Sequence, residues 1–125
     1  STTPHPWGDQ NDPNRANYDQ SGVHGTSAVG CYPGVEDRYS YGCDDMLGNV
    51  WEWTRSWHRP YPYLADDPEE RSERSGDEYR VLRGGSYPFG PRDARCAMRL
   101  GSHPLDRYDF VGFRVVVSPF RASGQ

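Results

Sequence analysis

The apolar residues of this chain fall into a few short runs, separated by long stretches dominated by polar residues, glycine and proline. Residues 49–53 (NVWEW) predict a short buried strand, and residues 79–82 (YRVL) predict a second strand that ends at Gly84-Gly85. Residues 110–117 (FVGFRVVV) are rich in β-branched side chains and give the clearest strand prediction. The pattern therefore predicts a small domain of short strands joined by long, ordered loops.

Three segments between and before these strands are predicted to be loops. Glycine and proline interrupt residues 1–48 so often that no helical or strand period persists. Residues 59–78 are polar throughout, and the acidic run at 66–70 is predicted to be exposed surface. Residues 86–109 form the third loop-rich stretch. Loops this long are uncommon in a compact domain, so buried tryptophan rings or a bound metal are expected to hold them.

Composition narrows the class of protein further. The chain has 125 residues, which is one domain or a piece of one, and only 34% are hydrophobic, with 14 Gly and 11 Pro. A helix bundle or a doubly wound sheet needs longer apolar runs. The net charge of −4 argues against a nonspecific nucleic-acid binder, and no apolar run approaches the roughly 20 residues that span a membrane. Composition therefore predicts neither nucleic acid nor a membrane as the partner.

The three cysteines give no sign of a disulfide framework or a zinc site. Their number is odd, and Cys31, Cys43 and Cys96 show no CxxC spacing. Free cysteine is among the residue types most often buried, so reduced, buried cysteines in a cytoplasmic protein are the simpler expectation. A Cys31–Cys43 disulfide stays open as the alternative. Because disulfides form in oxidising compartments, the cellular location of the protein stays open too.

Three short motifs carry a family resemblance: GNVWEW at residues 48–53, RGGS at 83–86 and GFRV at 112–115. Together, and in this order, they resemble the formylglycine-generating-enzyme (sulfatase-modifying factor) family. The resemblance implies an α+β, loop-rich, C-type lectin-like fold with short antiparallel strands. Against the family pattern, residues 1–125 match only the C-terminal part of a single domain, so the N-terminal part is expected to lie outside this chain.

The resemblance also implies structural calcium. Calcium takes six to eight oxygen ligands and often combines carboxylates with backbone carbonyls. Asp45 and Glu52 match the carboxylate positions of a calcium loop in the family, and Gly48 and Val50 match its carbonyl positions. The alternative from the residues alone is that Asp45 and Glu52 satisfy buried backbone donors.

A second calcium site of the family matches less well. Asn17, Tyr18 and Val23 stand at its positions, but Ser21 occupies the position of its acid, and Asp19 is the nearest substitute.

Two catalytic branches of the family are not supported by this segment. Formylglycine-generating enzymes carry a copper-binding cysteine pair shortly after RGGS, and residues 87–94 contain no cysteine. The iron-dependent sulfoxide synthases take their histidine ligands largely from a separate helical domain. The four histidines here, at positions 5, 24, 58 and 103, show no paired spacing. No catalytic residue is therefore assigned.

The stretch from 86 to 111 resembles the variable segment of proteins diversified by retroelements, which share this scaffold. Adenine mutagenesis of Asn codons in that segment yields codons that cannot encode Lys, Glu, Gln, Met or Trp. None of these five residue types occupies the positions that fit the variable pattern. The predicted ligand-binding positions are Tyr87, Phe89, Gly90, Leu100, Gly101, Ser102, His103, Leu105, Asp106, Tyr108, Asp109 and Phe110.

These positions combine rigid aromatic rings with small polar groups, as antibody paratopes do. The leading prediction is a non-catalytic ligand-binding domain, diversified by a retroelement, that binds through residues 86–111. In it, Trp51 and Trp53 hold the core, and Arg95, Arg99, Arg107 and Arg114 act as internal anchors. The alternatives are a metal-dependent oxidase or sulfoxide synthase whose ligands lie outside this chain, and an invariant interaction or sensor domain. A fixed loop with partly buried Leu100, Leu105 and Phe110 is the simplest alternative for the segment.

Overall fold

The computed structural model describes residues 3–34, 41–63 and 78–117. Within these ranges it contains a 3-10 helix, Asp19–Ser21, and four strands. The strands are β1 (Trp51–Trp57), β2 (Arg80–Arg83), β3 (Arg99–Ser102) and β4 (Val111–Gly112). Loops account for most of the rest of these ranges, and no α-helix occurs in them. The described part of the fold is thus strand and loop, as the sequence pattern predicts.

The four strands form one sheet in the order β3-β2-β1-β4. β2 is antiparallel to both β1 and β3, whereas β4 runs parallel to β1. β3 and β4 are therefore at opposite edges of the sheet, although only residues 103–110 separate them in the chain. This connection carries half of the predicted ligand-binding positions from one edge of the sheet to the other.

The strand predictions were right in position and inexact in length. β1 starts two residues later than predicted and continues to Trp57, and β2 lies one residue further along. Within the predicted strand at 110–117, only Val111–Gly112 pairs, opposite Trp51 and Glu52 of β1. Beyond β4, the side chains of residues 113 and 115–117 are 75–91% exposed.

β3 was not predicted, since residues 86–109 read as loop. Its sequence, Arg-Leu-Gly-Ser, lacks the β-branched and aromatic side chains that mark strands. The strand forms because all four of its residues pair in register with β2. Tertiary pairing here overrides a weak local propensity.

Gly48 explains why the motif at 48–53 starts with glycine. Gly48 has a φ of +80°, and a Cβ atom there would lie 2.3 Å from the backbone oxygen of Asn17. The Gly48 amide donates to the Gly84 carbonyl at 2.7 Å, and the next amide, of Asn49, donates to the Asn17 carbonyl at 2.7 Å. The N-terminal loop, the start of β1 and the RGGS turn therefore meet at this glycine.

The small core beside the sheet is built from the loops. Ala16, Tyr18, Leu47 and Ala94 are at most 3% exposed and pack together, with Trp7 against them. Burial of these side chains, drawn from widely separated segments, is what orders the long connections.

The cysteine prediction was half right. Cys31, Cys43 and Cys96 are all free, but each of them is exposed, so the expected burial was wrong. The described residues contain no helix long and apolar enough to cross a membrane. The acidic run at 66–70 lies outside the described residues.

Candidate ligand-binding surface

Three ring contacts join the two ends of the 86–111 segment into one aromatic cluster. Phe89 packs edge-on against Phe110 with ring centroids 5.3 Å apart, and Tyr108 stacks on Phe110 at 5.0 Å. Phe89 also packs edge-on against Trp51, at 5.9 Å. Trp51 is only 1% exposed whereas Tyr108 is 49% exposed. The cluster therefore runs from the core to the surface.

Backbone hydrogen bonds from the GNVWEW motif hold this cluster in place. The Trp51 amide donates to the Phe110 carbonyl at 2.8 Å, and the Tyr87 amide donates to the Asn49 carbonyl at 3.0 Å. Asn49 also accepts a hydrogen bond from the Ser27 amide through Oδ1, at 2.9 Å. Its φ is +65°, a conformation that Asn tolerates better than most residues. Sequence analysis did not assign this role to Asn49; the Gly-Asn pair was the only signal for it.

Tyr87 and Asp109 lie beside each other at the rim of the cluster. Burial and the neighbouring Asp109 carboxylate raise the pKa of the Tyr87 phenol above its ordinary value. The Phe89 backbone is also fixed, since its carbonyl accepts a hydrogen bond from the Asp19 amide at 3.1 Å. Gly90 follows it and faces the Asp19 carboxylate, which lies 3.4 Å from where a Cβ atom would stand. A Cβ atom at position 90 would therefore stand in van der Waals contact with the Asp19 carboxylate.

An open groove of about 670 Å³ lies next to the cluster. Trp53, Tyr108 and Phe113 supply aromatic wall, and Asp106, Arg107 and Asp109 supply charge. Trp53 was predicted to hold the core together with Trp51, but it is only half-buried and lines this groove. A concave surface with aromatic walls and a few polar groups is the usual form of a ligand site.

The predicted positions in β3 and the turn after it are mostly tied into the fold. Gly101 lies against the His58 ring, where a Cβ atom would come within 2.9 Å. The Ser102 hydroxyl, in a side chain 6% exposed, donates to the Asp106 carboxylate at 2.8 Å. The His103 amide donates to the same carboxylate oxygen at 3.0 Å, and the His103 ring packs edge-on against Tyr79. These residues shape the turn rather than face solvent.

The two predicted leucines, Leu105 and Leu100, differ in how far their side chains are exposed. Leu105 lies at the tip of the turn and is 75% exposed, whereas Leu100 is half-buried in β3, opposite Leu82. The structure thus brings Tyr87, Phe89, Tyr108, Asp109 and Phe110 together and places Leu105 on the same crossing connection. The predicted positions in β3 lie at the opposite edge of the sheet from β4.

Two polar atoms beneath the aromatic cluster have no hydrogen-bond partner among the described residues. They are Nε1 of Trp51 and Oγ of Ser86, and both side chains are 1% exposed. A buried polar group without a partner costs about 1–3 kcal/mol.

Both carboxylates of the first predicted calcium site are engaged by protein groups. The Asp45 carboxylate accepts the Gly30 amide at 2.6 Å and the Tyr32 amide at 3.3 Å. The Glu52 carboxylate is held by Arg114 through two bonds of 2.6 Å. Carboxylates of this kind suit calcium chemically, but an ion at Glu52 has to displace the Arg114 guanidinium.

The Arg114 guanidinium is surrounded by oxygen atoms, as a bound metal ion would be. Its guanidinium donates to the carbonyls of Asp44 and Asp45 at 3.0 and 2.8 Å, in addition to its pairing with Glu52. The Glu52 hydrogen bonds raise the pKa of Arg114 above its ordinary value. The predicted anchoring role of Arg114 is therefore seen in the structure. Calcium at Asp45, Gly48, Val50 and Glu52 stays a prediction.

The second predicted calcium site is also occupied by internal hydrogen bonds. Asn17 is fully buried, and the Ser21 hydroxyl donates to the Tyr18 carbonyl and lies 3.4 Å from Asn17 Oδ1. Asp19 turns toward Gly90 instead. Val23 is 45% exposed. This site too stays a prediction, and its acid position is filled by the hydroxyl of Ser21.

Among the described residues, no three His, Cys, Asp or Glu side chains are grouped so as to hold a metal. The histidines are dispersed: His5 stacks on Trp7 and His58 lies against Gly101. Around the aromatic cluster, the described residues form a contact surface with a groove beside it.

Comparison with known proteins agrees with the motifs. The model of the sulfatase-modifying factor enzyme 1-like domain matches residues 1–119. The chain is 43% identical over 94 residues to hercynine oxygenase of Mycolicibacterium smegmatis, a match covering 70% of this chain and 21% of that protein. It is 33% identical over 132 residues to the inactive C-alpha-formylglycine-generating enzyme 2 of Mus musculus, covering 94% of this chain and 37% of that protein.

A solved structure extends the comparison. Treponema denticola variable protein 1 superposes with a TM-score of 0.59 at 29% sequence identity, covering 80% of this chain and 34% of that one. The chain thus spans between about a fifth and two fifths of the length of these three proteins.

Proposed function

This chain belongs to the family of sulfatase-modifying factor enzyme 1-like domains, and we propose that it is a non-catalytic ligand-binding domain diversified by a retroelement. Its scaffold is the C-type lectin-like variant implied by its motifs. Its ligand is a protein or another macromolecule, bound through residues 86–111. The similarity to a variable protein and to a relative named as inactive supports this assignment.

The observation that carries the proposal is the crossing connection between β3 and β4. It places Leu105 and Tyr108 in solvent, at 75% and 49% exposure, while Phe110 and Phe89 anchor it on the buried Trp51. A surface segment on a rigid support tolerates substitution because it does not carry the fold. Rigid aromatic area next to a groove is what a binding surface needs.

Within 86–111, the proposed contact residues are Tyr87, Phe89, Leu105, Tyr108, Asp109 and Phe110. Gly101, Ser102 and Asp106 are proposed to position the connection, since they contact His58 or each other. Variation is therefore expected to concentrate at Tyr87, Leu105, Tyr108 and Asp109, because Phe89 and Phe110 also anchor the connection on Trp51.

The test is to sequence codons 86–111 of this gene across its source population and to search the flanking DNA for a near-copy of the segment. Substitutions confined to the proposed codons, at positions where the copy carries adenines, support the proposal. An invariant segment with no nearby copy rules out diversification by a retroelement.

A second candidate function rests on the similarity to hercynine oxygenase. In that case the whole protein is a metal-dependent oxidase whose catalytic ligands lie outside residues 1–125. Bound iron or copper in the purified protein, together with oxygen consumption that requires a thiol substrate, supports this candidate. Invariance of codons 86–111 favours it over the first.

A further inference from the structure

Arg83 and Arg99 form a pair of like charges on the sheet. They lie directly opposite each other in the register between β2 and β3, so their side chains share one face. The neighbouring pair in that register, Leu82 and Leu100, points to the other face. Like charges directly opposite on neighbouring strands are destabilising unless something compensates them.

Among the described residues, the hydrogen-bond partners of this pair are neutral oxygens and not carboxylates. Nη1 of Arg83 lies 3.2–3.4 Å from the carbonyls of residues 96–98, and its Nη2 donates to the Tyr61 hydroxyl at 3.1 Å. Nη1 of Arg99 donates to the Arg59 carbonyl and to the Tyr63 hydroxyl, both at 2.6 Å. Within the described part of the chain, ion pairs are seen elsewhere, at Arg15 and Arg114. The two positive charges are thus oriented but not neutralised.

Each of the two guanidinium groups keeps N–H donors that no described residue accepts. Both hydrogen bonds of Arg99 use Nη1, so its Nε and Nη2 have no partner in the described part of the chain. Nε of Arg83 likewise has no hydrogen-bond partner among the described residues. Arg83 and Arg99 are half-buried, and none of these nitrogens is among the fully buried unpartnered atoms of the described residues. The Tyr61 hydroxyl accepts from Arg83 and keeps its own hydrogen to donate.

The tyrosine rings give the pair a rigid wall. The Arg99 guanidinium lies 4.2 Å from the centroid of the Tyr61 ring and 5.4 Å from that of Tyr63. Tyr61 and Tyr63 pack edge-on against each other at 5.2 Å, and the Tyr63 hydroxyl donates to the Trp57 carbonyl at 2.7 Å. The donors are therefore preorganised, which lowers the entropy cost of binding.

We propose that Arg83, Arg99 and Tyr61 form a binding site for an oxyanion, the phosphate or carboxylate group of a ligand. The planar guanidinium matches such groups through two parallel hydrogen bonds. An anion at this position also relieves the repulsion between Arg83 and Arg99. The site lies on β2 and β3, away from the crossing connection, and does not depend on the function proposed above.

The test follows the Arg Nε–H and backbone amide NMR signals of the purified protein during titration. Sodium phosphate and sodium acetate are the probes, and sodium chloride at matched ionic strength controls for screening. We expect saturable shifts at Arg83 and Arg99 with phosphate or acetate and none with chloride. Stronger binding of phosphate indicates a phosphorylated ligand, and equal binding indicates a carboxylate.

Three variants decide whether these residues carry the binding. Loss of one charged hydrogen bond is worth about a tenfold change in affinity, so R99Q is expected to weaken binding at least that much. Y61F keeps the ring, removes only the hydroxyl donor and is expected to weaken binding by a smaller factor. R92Q removes an exposed arginine elsewhere and is expected to change nothing. Equal shifts with chloride, or equal losses in R92Q and R99Q, overturn the proposal.

Discussion

Ser86 and Ser102 are two buried serines whose hydroxyls differ in what they contact. Ser86 is 1% exposed and its hydroxyl has no partner among the described residues, whereas the Ser102 hydroxyl donates to Asp106 at 2.8 Å. S86A removes an unpaired polar atom, so we expect the free energy of unfolding to stay level or to rise by up to about 1 kcal/mol. S102A breaks a satisfied hydrogen bond, and we expect a loss of about 1 kcal/mol or more.

Urea denaturation of the two variants beside the wild type checks this pair. A loss in S86A as large as that in S102A shows that the Ser86 hydroxyl does have a partner. An ordered water bridging it to Nε1 of Trp51 is then the first candidate, since buried waters join such groups.

Tyr18 links the stability of the protein to alkaline pH. It is 1% exposed, and its hydroxyl donates to Asn11 at 2.7 Å. Burial, with smaller contributions from the carboxylates of Asp12 and Asp19, raises the pKa of its phenol above the ordinary value near 10. The unfolded chain therefore releases this proton first. The stabilising contribution is complete below about pH 10 and is lost as pH rises toward the folded-state pKa.

We expect Y18F to lower stability at neutral pH by about 1 kcal/mol through the lost hydrogen bond and to flatten the decline above about pH 10. Y41F is the matched control, because Tyr41 is 77% exposed, and we expect it to keep the wild-type slope. Stability measured by urea denaturation between about pH 8 and 11 gives both slopes. An unchanged slope in Y18F contradicts the assignment to Tyr18.

At the scale of elements, alanine substitutions at Gly48 and Gly22 distinguish two sources of destabilisation: a positive φ and a close contact at Cβ. Both have left-handed backbone, with φ of +80° and +75°, but a Cβ at Gly48 meets the Asn17 backbone at 2.3 Å whereas one at Gly22 meets nothing within 4 Å. We expect G22A to cost about 1 kcal/mol from the backbone alone. We expect G48A to cost about 3 kcal/mol or more, because the loop at Asn17 has to move away from β1.

Thermal and urea unfolding of G22A and G48A measure this difference. Equal losses in the two variants show that the contact between Gly48 and Asn17 yields easily. In that event, the N-terminal loop is not held to β1 as the structure indicates.

Arg114 and Glu52 connect the segment after β4 to β1 and to the loop before it. The pair has two hydrogen bonds of 2.6 Å, and the side chains are 35% and 23% exposed. A bidentate, partly buried pair with added carbonyl contacts exceeds the usual surface pair of about 0.2–1 kcal/mol. We expect R114Q to cost about 2 kcal/mol and a double-mutant cycle with E52Q to give a coupling above about 1 kcal/mol.

Arg15 and Asp12 supply the control cycle, since that pair is 3.6 Å apart and its side chains are 50% and 38% exposed. We expect its coupling to stay below about 0.5 kcal/mol. Equal couplings in the two cycles contradict a special role for Arg114.

At the scale of the whole molecule, the sequence predicts the fold better than it predicts the surface. β1 and β2 carry aromatic and β-branched residues whose signal is local, so their starts were found within two residues, although β1 ends four residues later than predicted. β3 was missed because Arg-Leu-Gly-Ser becomes a strand only by pairing with β2. The family motifs predicted correctly which family the chain belongs to, since turns such as that at Gly48 admit few alternatives.

The predicted surface mixed two kinds of residue for a similar reason. Phe89, Tyr108 and Phe110 do meet, although 18 to 20 positions separate Phe89 from the other two in the chain. Ser102 and Asp106 were counted with them, but they bond to each other. A polar residue in a loop has the same local pattern whether it faces solvent or closes a turn, so only the three-dimensional contact separates the two.

Whether calcium stabilises the whole molecule is a separate question, because the predicted calcium donors belong to segments that are joined to other parts of the fold. Asp45 ties the loop at residues 30–32, Glu52 belongs to β1, and Arg114 already binds Glu52. If calcium binds at Glu52, it stabilises the folded state by mass action. We therefore expect calcium chloride to raise the Tm saturably and EDTA to reverse the rise. Magnesium gives little effect, because it dehydrates reluctantly.

Competition with Arg114 makes this prediction specific. R114Q frees the Glu52 carboxylate, so its Tm is expected to be lower without calcium and to rise more steeply with calcium than that of the wild type. E52Q removes the carboxylate that both cations need, and its Tm is expected to ignore calcium. A Tm that is indifferent to calcium in the wild type and in R114Q alike shows that no calcium binds at Glu52. The guanidinium is then the cation on which this part of the molecule relies.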